Sequence, residues 1–266
     1  MEKLQPIRSK DNDLYKKIKS YTVPKYRKRD NVVLVEGQKT YDEAYTRLNC
    51  LYTIVSESYY LKNAEVGAEA AEGVQHVIDD ALFSSLSELK TSQGILGVFQ
   101  MPDFHIDLAT LQRVVVLQGV QDPKNVGAIM RNAHCLGYQA VFLSEGCAQV
   151  FSPKAIRAAM GASLYVPSTV GDIFDQVIQL KEAGFTVIAA DLSGSETLPA
   201  DLTSQDKIAL LIGGEGSGIS PEVLQGCDYR FRIPLQPGAE SLNVSVASGI
   251  VMYLLNTPCN NDQTNE

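Results

Sequence analysis

Histidine and cysteine are scarce in this 266-residue chain, and neither type is arranged for chemistry. Cys50, Cys135, Cys147, Cys227 and Cys259 are odd in number, form no CxxC pair and stand at no metal-like spacing from His76, His105 or His134. That excludes a zinc ribbon and a complete disulfide framework, and it suits thiols that fill core in a reducing cytoplasm. Long apolar runs are also missing. The first twenty residues mix charge with few hydrophobics, and no stretch reaches the roughly 18 apolar residues that suggest a spanning helix. A soluble, cytoplasmic protein with no membrane partner is expected. Positive charge is short overall: the net charge is −8, which by itself argues mildly against a polyanionic partner, because phosphates are met by Lys and Arg.

What is present changes that picture. Residues 1–30 hold ten Lys and Arg against Glu2, Asp11, Asp13 and Asp30, a local charge of +6 that leaves −14 for the remainder. Such a segment is either a solvated surface or a basic arm that grips phosphates. With 45% hydrophobic residues the chain buries a sizeable core, and its length favours two domains.

The pattern after the arm supports this division. The run Val32 to Val35 reads as a strand, and Tyr41, Ala44, Tyr45 and Leu48 share one face of a helix. Further short strand-like runs at Tyr52 to Val55, His76 to Ile78 and Ile95 to Phe99 make residues 31–105 a small α/β domain. A linker rich in charge follows Met101. From residue 112 to 258 the apolar runs Val114 to Leu117, Ala140 to Leu143, Thr186 to Ala190 and Ile208 to Ile212 show no alternation, as strands buried on both faces require. Helices fall between them, the clearest from Asp172 to Lys181. Strands alternating with helices predict a mostly parallel sheet with its ligand site at the carboxyl ends of strands. Residues 259–266 read as a disordered polar tail.

Three segments at predicted strand ends carry the chemistry. In the first, Asn125-x-Gly127-x-x-x-Arg131 follows a strand and an Asp-Pro turn, with Asn125 placed to cap a helix. In the second, Gly213-x-Glu215-Gly216-x-Gly218 follows a buried strand; glycines there allow close approach to main-chain N–H groups, and a plain turn has no need of Glu215. It is neither a dinucleotide fingerprint nor a Walker loop. In the third, Ile233-Pro234 leads through a long loop to Ser241-Leu242-Asn243-Val244-Ser245, which brackets the start of an apolar helix. Capping is the ordinary role for each Ser and Asn taken singly. Small residues from Val246 to Gly249 suggest that this helix packs closely, against a partner subunit for example. His134 and Cys135 read as packing residues.

Together, in this order, the three segments resemble the signature motifs of the SpoU (TrmH-like) family of SPOUT RNA methyltransferases. Leu34 to Gly37 and Ser92 to Leu96 also resemble that family's substrate-binding domain, which has a ribosomal-protein-like, RNA-binding fold. Gly214 departs from the Asn or Ala common among relatives. The resemblance implies an α/β protein whose C-terminal, mostly parallel sheet is threaded into a trefoil knot. It implies S-adenosyl-L-methionine as cofactor, held around Gly213, Ile233 and Leu242, and a homodimer through the knot domain. It implies 2′-O-ribose methylation of RNA, with Asn125, Arg131, Glu215, Ser241 and Asn243 as the catalytic set. A separate N-terminal domain with a basic arm looks more like the ribosomal-RNA members than the compact tRNA members. The alternatives are a tRNA ribose methyltransferase and a catalytically idle RNA-binding protein that keeps the knot.

Overall fold

The computed structural model describes residues 4–65, 75–89, 91–198 and 207–256. In chain order its elements begin with α1 (Asp13–Ser20), α2 (Pro24–Asp30), β1 (Val32–Glu36), α3 (Gln38–Tyr45), β2 (Cys50–Ser56), α4 (Glu57–Glu65), β3 (Gln75–Ile78), α5 (Asp80–Leu86) and β4 (Ile95–Gln100). They continue with β5 (Arg113–Gln118), α6 (Pro123–Cys135), β6 (Ala140–Ser144), α7 (Pro153–Ala158), β7 (Ser168–Gly171), α8 (Ile173–Glu182), β8 (Thr186–Ser195), β9 (Ile208–Gly213), α9 (Pro221–Gln225), β10 (Tyr229–Phe231) and α10 (Val244–Asn256). The chain divides into two compact units, residues 1–103 with 151–165, and residues 104–150 with 166–266.

The first unit is built on a four-stranded sheet in the order β1-β4-β2-β3, antiparallel except for β2 and β3. Residues 13–30, read from sequence as an arm, form α1 and α2, and Tyr15, Ile18 and Tyr21 enter the core with Leu34, Ile54 and Leu96. The basic residues masked this: the apolar ones recur every third residue and make one face of a helix. Several of the cations are committed, two of them most firmly. Arg8 pairs with Glu57 at 2.7 Å, and Arg27 is buried with its guanidinium donating to the Tyr21 carbonyl at 2.7 Å.

The other face of this sheet is closed by α3 and by the 151–165 segment, whose Ile156 and Leu164 pack among Val33, Val35 and Phe99. A buried carboxylate ties the pieces together. Glu36 accepts from the Ser92 hydroxyl at 3.1 Å and the Glu88 amide at 3.3 Å, and Arg157 lies 4.0 Å away while pairing with Glu88 at 3.2 Å. Leu34 to Gly37 and Ser92 to Leu96 therefore meet: Gly37 donates to the Ile95 carbonyl at 3.2 Å, and Gln93 receives the Gln38 amide at 2.7 Å.

The second unit is a six-stranded, all-parallel sheet in the order β10-β8-β9-β5-β6-β7. One strand, β7, escaped the sequence reading because it is only four residues long and its burial is broken. The third motif's strand ends at Phe231, short of Ile233. The register pairs Gln118 with Gly213, so the ends of β5 and β9 stand side by side. The chain progresses outward from β5 through β6 to β7 and then resumes on the other side of β5, a switch point of the kind at which parallel sheets bind ligands. The helix predicted from Asp172 is α8, and the Asp172 carboxylate accepts from the Phe174 and Asp175 amides at 2.9 and 3.1 Å. Asp172→Ala is expected to lower stability by about 1 kcal/mol, read as the midpoint of urea unfolding at unchanged slope.

Cysteine use differs from expectation. Cys135 is exposed with His134 near the end of α6, and Cys50, Cys147 and Cys227 are half-buried and free; Cys259 and the predicted tail lie outside the described residues. Burial pushes the Cys227 thiol up to about 11, which keeps it protonated and unreactive at neutral pH. Among the described residues no helix is long and apolar enough to cross a membrane, and no cluster of metal-ligating side chains occurs.

Candidate active site

The turn after β5 sets the floor of the site. Asp122, not Asn125, caps α6: its carboxylate accepts the Lys124 amide at 2.9 Å, with Pro123 in the first turn. The two candidates lie three residues apart, and a carboxylate directly before an N1 proline is the better cap. Relieved of that task, Asn125 is buried inside the first turn of α6 and points its amide elsewhere.

It points at the other two motifs. Asn125 Nδ2 donates to Glu215 Oε1 at 2.9 Å, and Asn243 Nδ2 donates to the same oxygen at 3.2 Å and to Asn125 Oδ1 at 3.1 Å. Asn243 also starts α10, because its Oδ1 accepts the Ser245 amide at 3.0 Å, the Ser245 hydroxyl at 2.6 Å and the Val246 amide at 3.4 Å. One carboxylate thus joins three segments that are 90 and 28 residues apart in sequence. Glu215→Gln keeps the shape but gives up charge-assisted bonds, so turnover is expected to fall about tenfold with the fold intact, as checked by single-turnover kinetics.

The glycine loop between β9 and α9 is held by its own backbone. Gly214 donates to the Gln118 carbonyl at 2.7 Å, Gly218 donates to Gly214 at 3.0 Å, and Gly216 and Gly218 have φ of +91° and +61°. A Cβ on Gly214 would lie 2.1 Å from the Gly119 carbonyl oxygen, so this position has room only for glycine. Two residues that sequence reasoning passed over close the loop: Gln118 donates to the Ser220 hydroxyl at 3.1 Å and accepts the Ser220 amide at 3.0 Å. Both stand just outside the motifs, and a glutamine at a strand end has no signature until its partner 102 residues away is known.

Above this loop lies a cavity of about 510 Å3, within the range of small-molecule and cofactor sites. Gly213, Ile233 and Leu242, the residues proposed to hold a cofactor, all line it, as do Glu215 and Ser241. Phe231, Val244 and Val251 supply apolar wall, and Asp191 and Leu192 in β8 complete it. An acid near the carboxyl end of a parallel strand is a signal that would have found Asp191. The charged lining is Asp191, Glu215 and Glu240 against Arg232, and Arg232 is paired with Glu196 at 2.8 Å. That balance fits a ligand carrying positive charge with an apolar body, as the sulfonium and adenosine parts of S-adenosylmethionine do.

Two expected members are not in the hydrogen-bonded cluster. Ser241 lies on the cavity wall without joining the two asparagines and Glu215. Arg131 is exposed on α6, lines no part of the cavity and bonds no described residue. Six residues carry it about 9 Å along the helix and about 120° around it from Asn125, so the two cannot share a face. The small residues of α10 are explained within the chain. Gly249 faces Asn132, whose amide donates to the Ser245 carbonyl at 2.9 Å, and the buried Ser248 bonds the same carbonyl at 2.8 Å. They let α10 lie close against α6.

Comparison with known proteins agrees with this geometry. The family model described as the SpoU rRNA methylase family matches residues 112–253, and that of an MRM3-like substrate binding domain matches residues 12–97. The chain is 31% identical to the 23S rRNA (guanosine(2553)-2′-O)-methyltransferase RlmP of Bacillus subtilis, over 95% of this chain and 99% of that protein. Among solved structures, the AdoMet-bound rRNA methyltransferase from Sinorhizobium meliloti superposes with a TM-score of 0.80 at 24% identity, covering 95% of this chain and 97% of that one. The SpoU methyltransferase AviRb from Streptomyces viridochromogenes superposes with a TM-score of 0.80 at 23% identity, over 92% and 97%. The last two likenesses speak to fold alone; the family matches and the whole-length relative speak to descent. The chain belongs to the SpoU rRNA methylase family and is an RNA methyltransferase.

Proposed function

We propose that this protein methylates a ribose 2′-oxygen in ribosomal RNA, and that Asn125, Arg131, Glu215, Ser241 and Asn243 form its catalytic set. The observation that carries the assignment is the convergence of three motifs on Glu215 at the rim of an acid-lined cavity. Gly213, Ile233 and Leu242 would hold the cofactor there. When bound, S-adenosylmethionine supplies a methyl group on a positively charged sulfur, open to in-line attack.

What the chain contributes is alignment. The Glu215 carboxylate fixes Asn125 and the start of α10, so loop and helix keep one geometry relative to the cavity. Arg131, exposed and unpaired among the described residues, clamps the incoming ribose and its phosphate. A guanidinium with a pKa above about 12 only donates, so its part is positioning rather than proton removal. Ser241 presents a hydroxyl on the cavity wall beside the substrate.

Ribosomal RNA is favoured over tRNA because the relative matched along its whole length, small domain included, is named for 23S rRNA. A homodimer through the second unit is supported by an apolar strip on α10: Val246, Ile250, Tyr253 and Leu254 recur at helical spacing and are exposed in the single chain. A second copy there gives the detached Arg131 a route to a composite site. The trefoil knot belongs to the same reading, supported by the parallel order of β9, β5 and β6 and by the return of α10 to α6. A cytoplasmic location fits the free thiols.

The deciding experiment is transfer of labelled methyl from S-adenosylmethionine to unmodified ribosomal RNA and, separately, to unmodified tRNA, with nuclease mapping of the product. Label in the ribosomal pool at a ribose is expected. Label in tRNA alone, or on a base, overturns the substrate assignment. Saturable cofactor binding with no label points to an assembly intermediate, and no cofactor binding to the idle RNA-binding protein.

A further inference from the structure

Arg29, in the last turn of α2, is held as exposed arginines seldom are. Its side chain is 62% exposed, yet Nε and Nη2 donate to Asp30 Oδ1 and Oδ2 at 2.6 and 2.9 Å. Its guanidinium carbon lies 5.1 Å from the centroid of the Tyr26 ring, and Tyr26 packs against the core of the first unit. A free arginine wanders through many rotamers; this one is held by Asp30 within cation–π reach of Tyr26 while most of its surface stays open to water.

The pairing also removes most of its value as a charge. Asp30 neutralises it at close range, and Arg29 in turn holds the Asp30 carboxyl below the usual carboxylate range. A long-range phosphate grip would be better served by an unpaired lysine, and two stand beside it. Lys25 and Lys28 are exposed, lie within four residues of Arg29 on the same short helix, and bond no described residue. What Arg29 keeps is a flat, preformed surface, and guanidinium planes are among the surfaces on which unpaired RNA bases stack. A duplex hides its base faces and leaves such a surface idle.

We propose that the Arg29 guanidinium, backed by Tyr26 and locked by Asp30, is a stacking platform for an unpaired base of the substrate RNA, with Lys25 and Lys28 taking the neighbouring phosphates. This rests on the RNA reading above and adds where, and in what form, the first unit meets its substrate. It gives Lys25 and Lys28, two of the ten basic residues among the first thirty, a role.

The test compares the full-length protein with Arg29→Lys and with the double variant Lys25→Gln/Lys28→Gln, all at exposed positions. The probes are a fluorescent oligouridylate and an abasic ribose-phosphate strand of equal length, titrated over a series of KCl concentrations. Arg29→Lys keeps the charge and loses the plane. Affinity for the oligouridylate is expected to fall about tenfold, with the abasic strand and both salt slopes unchanged. The double lysine variant is expected to flatten the slope by about 1.4 on both probes. Arg29→Lys acting equally on both probes, or on neither, overturns the platform. A wild-type protein that binds ribosomal RNA but neither probe overturns it too, whereas one that binds no RNA overturns the function on which it rests.

Discussion

Arg131→Ala is expected to slow methyl transfer by about a hundredfold or more while leaving cofactor affinity unchanged, because a reactant misplaced by even about 1 Å can lose about 10²-fold in rate. The separation is what the geometry demands. Arg131 lines no part of the cavity and holds no other residue in place, so its loss disturbs neither the cofactor's walls nor the Asn125–Glu215–Asn243 cluster. Single-turnover kinetics with saturating RNA, together with calorimetric titration of S-adenosylmethionine, measures both halves. Arg131→Lys should recover little, since a point charge does not reproduce a guanidinium's planar grip on ribose and phosphate. Wild-type turnover in Arg131→Ala would remove it from the catalytic set.

Gly213→Ala is expected to do the opposite, weakening cofactor binding about a hundredfold and lowering stability by about 2 kcal/mol, within the range for overpacking a fitted interior. A Cβ at Gly213 would sit 2.3 Å from the carbonyl carbon of Gly218 and 2.6 Å from the Ile219 nitrogen. These are backbone atoms, and the loop that bears them is tied at both ends: Gly214 to Gln118 by its amide, and Ser220 to the Gln118 side chain by two bonds. Nothing can swing aside, as the tip of a flexible side chain would. The loop must open, and the cavity wall opens with it. The urea midpoint and the cofactor titration are the readouts; an unchanged cofactor affinity would show that this loop does not form the binding wall.

These two outcomes divide labour within one family signature, and they also show how far that signature could be read unaided. Glu215 was identifiable as a residue a bare turn does not require, whereas Asn125 and Asn243, taken singly, read as helix caps. That Glu215 holds Asn125 and the start of the last helix was open to expectation only through the family motifs; their meeting at one carboxylate oxygen rests on contacts that span up to 118 residues and on β5 and β9 being neighbours. Asn125 is the sharpest instance. Read along the chain it is a helix cap; in space Asp122 caps the helix, and the asparagine is free to bind Glu215. The basic N-terminus failed for a related reason: charge dominates its composition, while three apolar side chains decide where it packs.

The sequence by itself determined the local chemistry: strands buried on both faces, helices between them, glycines where backbone must approach backbone, and three polar motifs in family order. Those are properties of short windows, set by periodicity and by what each side chain permits at its own φ and ψ. Only the tertiary structure decided that Gln118 closes the glycine loop, that 151–165 packs with the first unit, that Arg131 stands apart from the cluster, and that small residues on α10 serve its packing against α6. Each of these depends on pairs far apart in the chain. Which distant pair forms is settled by the packing of the whole sheet, through burial summed over many residues, and no single segment carries that information.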